Sequence, residues 1–180
     1  MNTLFNSRIV AAFWLLLAAG LVGYHLALIF SGLVPNLVSR PLHMAFILPF
    51  VLVLGATSRA GLISGIVLAV LGIGAALWIA LNNDMLGDQY GFLEGNFQRA
   101  IAITLLAVTL ETARRAIGWP LPLVAGTALL YGLYGEYIPG QFGHSGTPLN
   151  SFLGTLTIAE GGIWGSLTGV SVGVVSIFVI

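Results

Sequence analysis

The sequence predicts an all-α, polytopic membrane protein with six transmembrane helices and one short amphipathic helix lying in the membrane interface. Of 180 residues, 58% are hydrophobic and only 7% charged, whereas a soluble domain carries charge on about a quarter of its residues. Mean hydropathy is +1.02. Apolar runs near the roughly 20 residues that cross a bilayer recur along the whole chain, separated by short polar turns. One polar stretch near the end carries apolar residues at helical spacing, the mark of a helix with a single apolar face.

The first run, Ile9 to Phe30, follows Arg8. It is about twice as long as the apolar core of a cleaved signal peptide and lacks a small-residue cleavage site, so it reads as a retained helix. The next runs are Pro41–Thr57, with Pro41 expected in a first helical turn where its missing N–H is harmless, and then Ala60–Leu81. Phe97–Thr112, Trp119–Tyr137 and Ile163–Ile180 complete the set.

Between the last two runs, Leu149, Phe152, Leu153 and Leu156 fall at i, i+3, i+4 and i+7 after Pro148, with Asn150, Ser151 and Thr155 largely opposite. That pattern suits a short helix lying in the outer interface. Lacking a Lys/Arg face, it is expected to brace other helices rather than to bind lipid. Trp119, Trp164, Tyr90 and Tyr137 lie at expected helix ends and match the aromatic belts of membrane interfaces, while Trp14 and Trp78 fit less cleanly.

Charge sets the orientation. There are six Arg, no Lys and six acids, so no basic field exists for nucleic acid or strongly anionic lipid. An inside N-terminus puts Arg8, Arg59, Arg114 and Arg115 on the cytoplasmic side and leaves Arg40 and Arg99 outside, the arrangement the positive-inside rule favours. The acidic loop Asn82–Asn96 then faces out, and Glu136 and Glu160 add to Asp84, Asp88 and Glu94 there, as solvated charges or a partner surface. The chain has no cysteine, which excludes disulfides, thiol catalysis, zinc knuckles and iron–sulfur ligation through it.

Gly143-His144-Ser145-Gly146 carries the G-x-S-G pattern of an intramembrane serine protease of the rhomboid kind. That chemistry needs a base for the serine proton. His25 and His43 precede Ser145, whereas that family takes its base from a later helix, so a glycine-rich turn is the preferred reading. No phosphate loop, metal triad or spaced carboxylate pair appears. The residues make no positive case for an enzyme, and no catalytic, cofactor or metal residue is assigned.

The structural candidates are clearer. Gly161, Gly165, Gly169 and Gly173 at four-residue spacing predict a smooth ridge on the last span, and Gly61 and Gly65 a weaker one on the third. Glu111 precedes Arg114 and Arg115 by three and four residues, so it can pair with either as a clamp at the cytoplasmic end. Arg40 and His43 lie one turn apart and are expected to anchor the second span at the outer interface, against a headgroup or a partner.

These same residues carry a resemblance. "LETARRAIGWPLPLVAGTALLYGLYGEYIPG" (Leu110–Gly140) followed by "HSGTPLNSFLGTLTIAEGGIWGSLTGVSVG" resembles the fused permease of tripartite ATP-independent periplasmic (TRAP) transporters, of the type paired with TAXI binding proteins. Glu111 with Arg114-Arg115, Gly118, Tyr131 through Pro139, and Glu160-Gly161-Ile163-Gly165 leading to Gly169-Val170-Ser171 carry the match. "RPLHMAFILPF" (Arg40–Phe50) is similar to the second helix of that family's small-subunit region.

The resemblance implies a four-helix small-subunit region over residues 1–116, a linking helix over 117–138, an external connector with its interfacial helix over 139–162, and the first helix of the large permease region over 163–180. Ile180 would then be the edge of a longer chain. It further implies a sodium-driven symporter of organic acids such as dicarboxylates or amino acids, fed by a TAXI-type periplasmic binding protein, in a bacterial or archaeal cytoplasmic membrane. This portion would serve as scaffold and anchor for the remainder of the large region. Sodium ligands and the substrate pocket belong to that remainder, so no transport residue is carried over and no cofactor is expected here. A self-contained six-helix S-component of an ATP-driven vitamin importer is the alternative of similar length and hydropathy.

Overall fold

The computed structural model describes residues 8–175, and among these there is helix and no strand. Helix α1 runs Arg8–Ser31 and α2 runs Asn36–Pro49, continuing as a π-turn over Phe50–Leu54. Helix α3 spans Arg59–Leu81, the short α4 Asn83–Asp88, and α5 Gly95–Ile117. Then follow α6, Pro120–Tyr134, α7, Leu149–Thr157, and α8, Ser166–Val170, with a second π-turn over Ser171–Val175.

Among the described residues three helices, rather than the six expected, are long and apolar enough to cross a membrane: α1, α2 with its π-turn, and α3. The three other expected spans fall short for different reasons. Helix α6 has 15 residues, about 22 Å at 1.5 Å per residue against a hydrocarbon core of about 30 Å. Helix α5 is long enough but carries Gln98, Arg99, Glu111, Arg114 and Arg115. The expected final span lies partly outside the described residues, and within them it is broken.

Helix α3 is the hub, because it turns small residues toward its neighbours. Gly65, Ala69, Gly72 and Ala76, at alternating steps of four and three, are buried, so the backbones of α2 and α5 come close. A methyl on Gly72 would lie 2.6 Å from Leu48 Cδ1 and 2.8 Å from Val108 Cγ1. Gly61, the other half of the expected ridge, is outside this contact, and a methyl added to it would meet only the hydroxyl of Ser58. That hydroxyl accepts the N–H of Gly61 at 3.0 Å and caps α3.

Helix α2 begins five residues before the expected boundary, so Pro41 lies inside it rather than in its first turn. A proline there removes one main-chain hydrogen bond, at a cost of about 3 kcal/mol. Tertiary contacts explain the longer helix: Leu37, Ser39 and Pro41 are buried, and Asn36 and Arg40 both bond the far end of the chain. At the other end, beyond Pro49, the N–H of Gly55 bonds Phe50 five residues back at 3.1 Å, and that of Ala56 bonds Val53. The carbonyl of Leu52, whose α-helical partner would be Ala56, is thereby left open to a side chain.

Helix α1 is largely exposed, with His25 its one buried residue. It leans on α2 and its π-turn through aromatic contacts, with Tyr24 stacked on Phe46 at 5.5 Å and Trp14 tilted against Phe50 at 5.5 Å. The hydroxyl of Tyr24 donates to the carbonyl of Ser39 at 2.6 Å. Helix α7 forms where its period predicts, with Leu153 buried among Leu86, Leu93 and Ile101 and Phe152 seated on Gly132 of α6.

Candidate functional site

Three residues of α2 at i, i+4 and i+7, Asn36, Arg40 and His43, form one stripe on the helix surface. Each holds the C-terminal segment. The side-chain amide of Asn36 donates to Glu160 Oε2 at 3.0 Å. The guanidinium of Arg40 donates to the carbonyls of Trp164 and Gly165, the latter at 3.2 Å. Ser171 Oγ lies 3.3 Å from Nε2 of His43.

The expectation of an outward anchor at Arg40 and His43 is therefore corrected. His43 is 7% exposed, and both side chains face the protein's own chain more than 120 positions away. Glu160 remains exposed, but as the partner of Asn36.

The C-terminal segment is shaped to meet this stripe. Trp164 is 0% exposed and its indole N–H donates to the carbonyl of Thr157 at 2.6 Å, satisfying an end carbonyl of α7. This overturns its expected place in an interfacial belt. Drawing the indole inward bends the chain, so Gly162–Trp164 makes a 3₁₀ turn and α8 starts only at Ser166. Gly162 has φ of +51°, and a side chain there would overlap the backbone of Leu156.

The four-residue glycine ridge is broken by this bend. Gly161 and Gly165 precede the two short helical turns rather than lying within one helix. Gly169 lies in α8 beneath the Arg40 guanidinium, where a methyl would come within 2.8 Å of Nη2. A methyl added to Gly173 would meet none of the described residues of other elements within 4 Å.

At the opposite end of the bundle Glu111 pairs with both of its arginines. Arg114 lies 2.6 Å from it and Arg115 2.7 Å. Arg115 also donates to the carbonyls of Leu52 at 2.8 Å and Gly61 at 2.9 Å, and to Ser64 Oγ at 2.9 Å. One side chain thus ties α5 to the π-turn and to the start of α3. Arg114 is more exposed and its guanidinium lies 5.4 Å over the ring of Trp119. Arg99, by contrast, bonds Asn150 of α7 at 3.0 Å, so Arg40 and Arg99 share the end with the connector while Arg59, Arg114 and Arg115 share the other.

In the G-x-S-G turn, both ring nitrogens of His144 face main-chain carbonyls, Ser145 at 2.8 Å and Tyr131 at 3.0 Å. Both nitrogens are thus committed to main-chain oxygens rather than to the hydroxyl of Ser145. Two acceptors favour the doubly protonated ring, and together with nearby Glu136 they raise its pKa above the usual 6.5.

Sequence reasoning missed the partner of His43. Nε2 of His25, on α1, lies 2.8 Å from Nδ1 of His43, and Nδ1 of His25 lies 2.8 Å from the carbonyl of Leu21. Two openings flank the pair. A cleft of about 260 Å³ is lined by His25, Asn36, Ser39, Arg40 and Gly169. A cavity of about 430 Å³ between α2, α5 and the C-terminal segment is lined by His43, Thr109, Thr112, Trp164 and Thr168. The hydroxyl of Thr109 is buried without a partner among the described residues. The available signal was the rarity of histidine in apolar helices, where an ionisable residue faces a partner or a cavity. Among the described residues no group of three His, Asp or Glu is arranged to hold a metal.

Comparison with known proteins finds no family model, no curated protein and no solved structure that matches this chain.

Proposed function

We propose that this chain is the scaffold and anchor portion of a binding-protein-dependent secondary transporter of the TRAP type, embedded in a cytoplasmic membrane with its N-terminus inside. Its cargo is an organic acid such as a dicarboxylate or an amino acid. A TAXI-type periplasmic protein delivers the cargo, and a sodium gradient drives uptake through the remainder of the large permease region.

The observation that supports this reading best is the fastening of residues 160–171 along the Asn36, Arg40 and His43 stripe of α2. Alternating access needs one part that stays fixed while another moves. A helix that grips residues 160–171 by side-chain bonds supplies such a fixed point. The apolar exteriors of α1 and α3, with Leu15, Leu16, Ile63 and Val70 exposed, suit contact with lipid.

The test is uptake in proteoliposomes. The chain is co-reconstituted with the large permease region and a TAXI-type binding protein, and labelled dicarboxylates and amino acids are offered under an imposed sodium gradient. Uptake that requires both the gradient and the binding protein is expected. Tight vitamin binding by the 180-residue chain alone, with no sodium-driven uptake, overturns the proposal in favour of an importer S-component.

A further inference from the structure

Two buried histidines on different helices, 3% and 7% exposed, share a hydrogen bond with no carboxylate against either ring among the described residues. Their described polar neighbours come from three elements. From α1 come the Leu21 carbonyl and Tyr24, whose ring meets His25 edge-on at 5.1 Å and whose hydroxyl is committed to Ser39. From α2 comes Arg40, bonded to Trp164 and Gly165. From the C-terminal segment comes Ser171, while Glu160 lies beyond Arg40 on Asn36.

The geometry points to a one-proton binding site formed by His25 and His43, loaded from the cavity beside His43, in which the proton's arrival reverses the hydrogen bond to Ser171. The inference does not rest on the transport reading.

Donor and acceptor bookkeeping fixes the two states. A carbonyl can only accept, so Nδ1 of His25 must carry a proton toward Leu21. In the neutral pair Nε2 of His25 is therefore an acceptor, Nδ1–H of His43 donates to it, and Nε2 of His43 accepts from the hydroxyl of Ser171. Every ring nitrogen is satisfied.

A proton entering from the cavity bonds to Nε2 of His43, the end of the chain with the longest contact at 3.3 Å. The Nδ1–H bond of His43 breaks as its proton passes to Nε2 of His25. One N–H bond forms at each end and one breaks between them, and the ring of His43 changes tautomer without net charge. His25 becomes the imidazolium, donating to Leu21 and to His43. Nε2–H of His43 now donates to Ser171, whose hydroxyl turns from donor to acceptor.

Both states keep all three contacts with no heavy atom moved, which is what a proton site requires if it is to fill and empty quickly. A second proton would set two imidazolium rings with facing nitrogens 2.8 Å apart and no acidic partner among the described residues, so occupancy stops at one. The pair joins α1 to α2, and Ser171 joins the pair to the C-terminal segment, so occupancy is read out at the junction of all three.

The test is nitrogen NMR of the full chain, histidine-labelled, in lipid nanodiscs between pH 4 and 9, values set by the useful range of imidazole titration about 6.5. Expected results are a scalar coupling between Nε2 of His25 and Nδ1 of His43, lost in His43→Gln, and uptake of one proton by the pair. Ser171→Ala should keep the coupling while shifting the Nε2 resonance of His43. Two protons taken up independently, or wild-type spectra without the coupling, overturn the site. His144 titrates separately and serves as the internal control.

Discussion

The guanidinium of Arg115 donates to the main-chain carbonyl of Leu52 at 2.8 Å, across 63 positions of sequence. The carbonyl is open because the chain beyond Pro49 relaxes into a π-turn, and the arginine is held in place by Glu111 one turn earlier on its own helix. Three helix ends therefore converge on one side chain.

Arg115→Ala should destabilise the protein by about 2–4 kcal/mol, because it strips bonds from Leu52, Gly61, Ser64 and Glu111 in a half-buried network. Arg114→Ala should cost much less, since that arginine is 34% exposed and its pairing is screened by solvent. Unfolding by SDS titration in mixed micelles measures both. Equal losses would mean that the contacts to Leu52, Gly61 and Ser64 contribute nothing.

Gly65→Ala should destabilise by about 1–3 kcal/mol through overpacking, because the added methyl would overlap the same Leu52 carbonyl. Gly74→Ala on the same helix meets nothing within 4 Å. Helix propensity should make that change neutral or stabilising by about 0.5–1 kcal/mol. The pair is compared in one SDS titration series, and a reversed order would contradict the packing of α3 on α2.

Trp164→Phe should cost about 1–3 kcal/mol, as the Thr157 carbonyl loses its donor and part of a fully buried ring is removed. It should also loosen the connector. Limited proteolysis of residues 158–166 should accelerate in the variant while cleavage of the Asn82–Asn96 loop stays unchanged; equal rates at the connector would show that the indole does not fasten it.

The connector should be pH-sensitive through His144. Its pKa is raised in the folded state by the carbonyls of Ser145 and then Tyr131. The hold it provides is fully present below the unfolded value of 6.5 and is lost as pH rises through the folded value. Amide exchange at Gly143 and Ser145, corrected for intrinsic rates, should thus quicken on raising the pH, and His144→Gln should abolish the dependence. A flat profile in the wild type removes His144 as a latch.

Helicity, the apolar exterior, the α7 helix and the possibility of a Glu111 clamp were legible in the amino-acid sequence alone. They depend on local spacing, and a rise of 1.5 Å and a turn of about 100° per residue decide which neighbours along one helix can meet. The number of full spans was misread because apolar composition was taken for length, whereas α6 is too short and α5 too charged.

Only the tertiary structure decided that Arg40 and His43 turn inward, that Trp164 leaves the interface for the core, and that His25 meets His43. In water an amphipathic period separates a helix's buried face from its exposed one. Here apolar residues cover both the exposed and the packed faces of α1 and α3, so hydropathy carries no inside–outside contrast. Which faces meet is settled instead by where small residues let backbones approach and where a few polar side chains find partners, and those partners lie as far apart in sequence as Asn36 and Glu160.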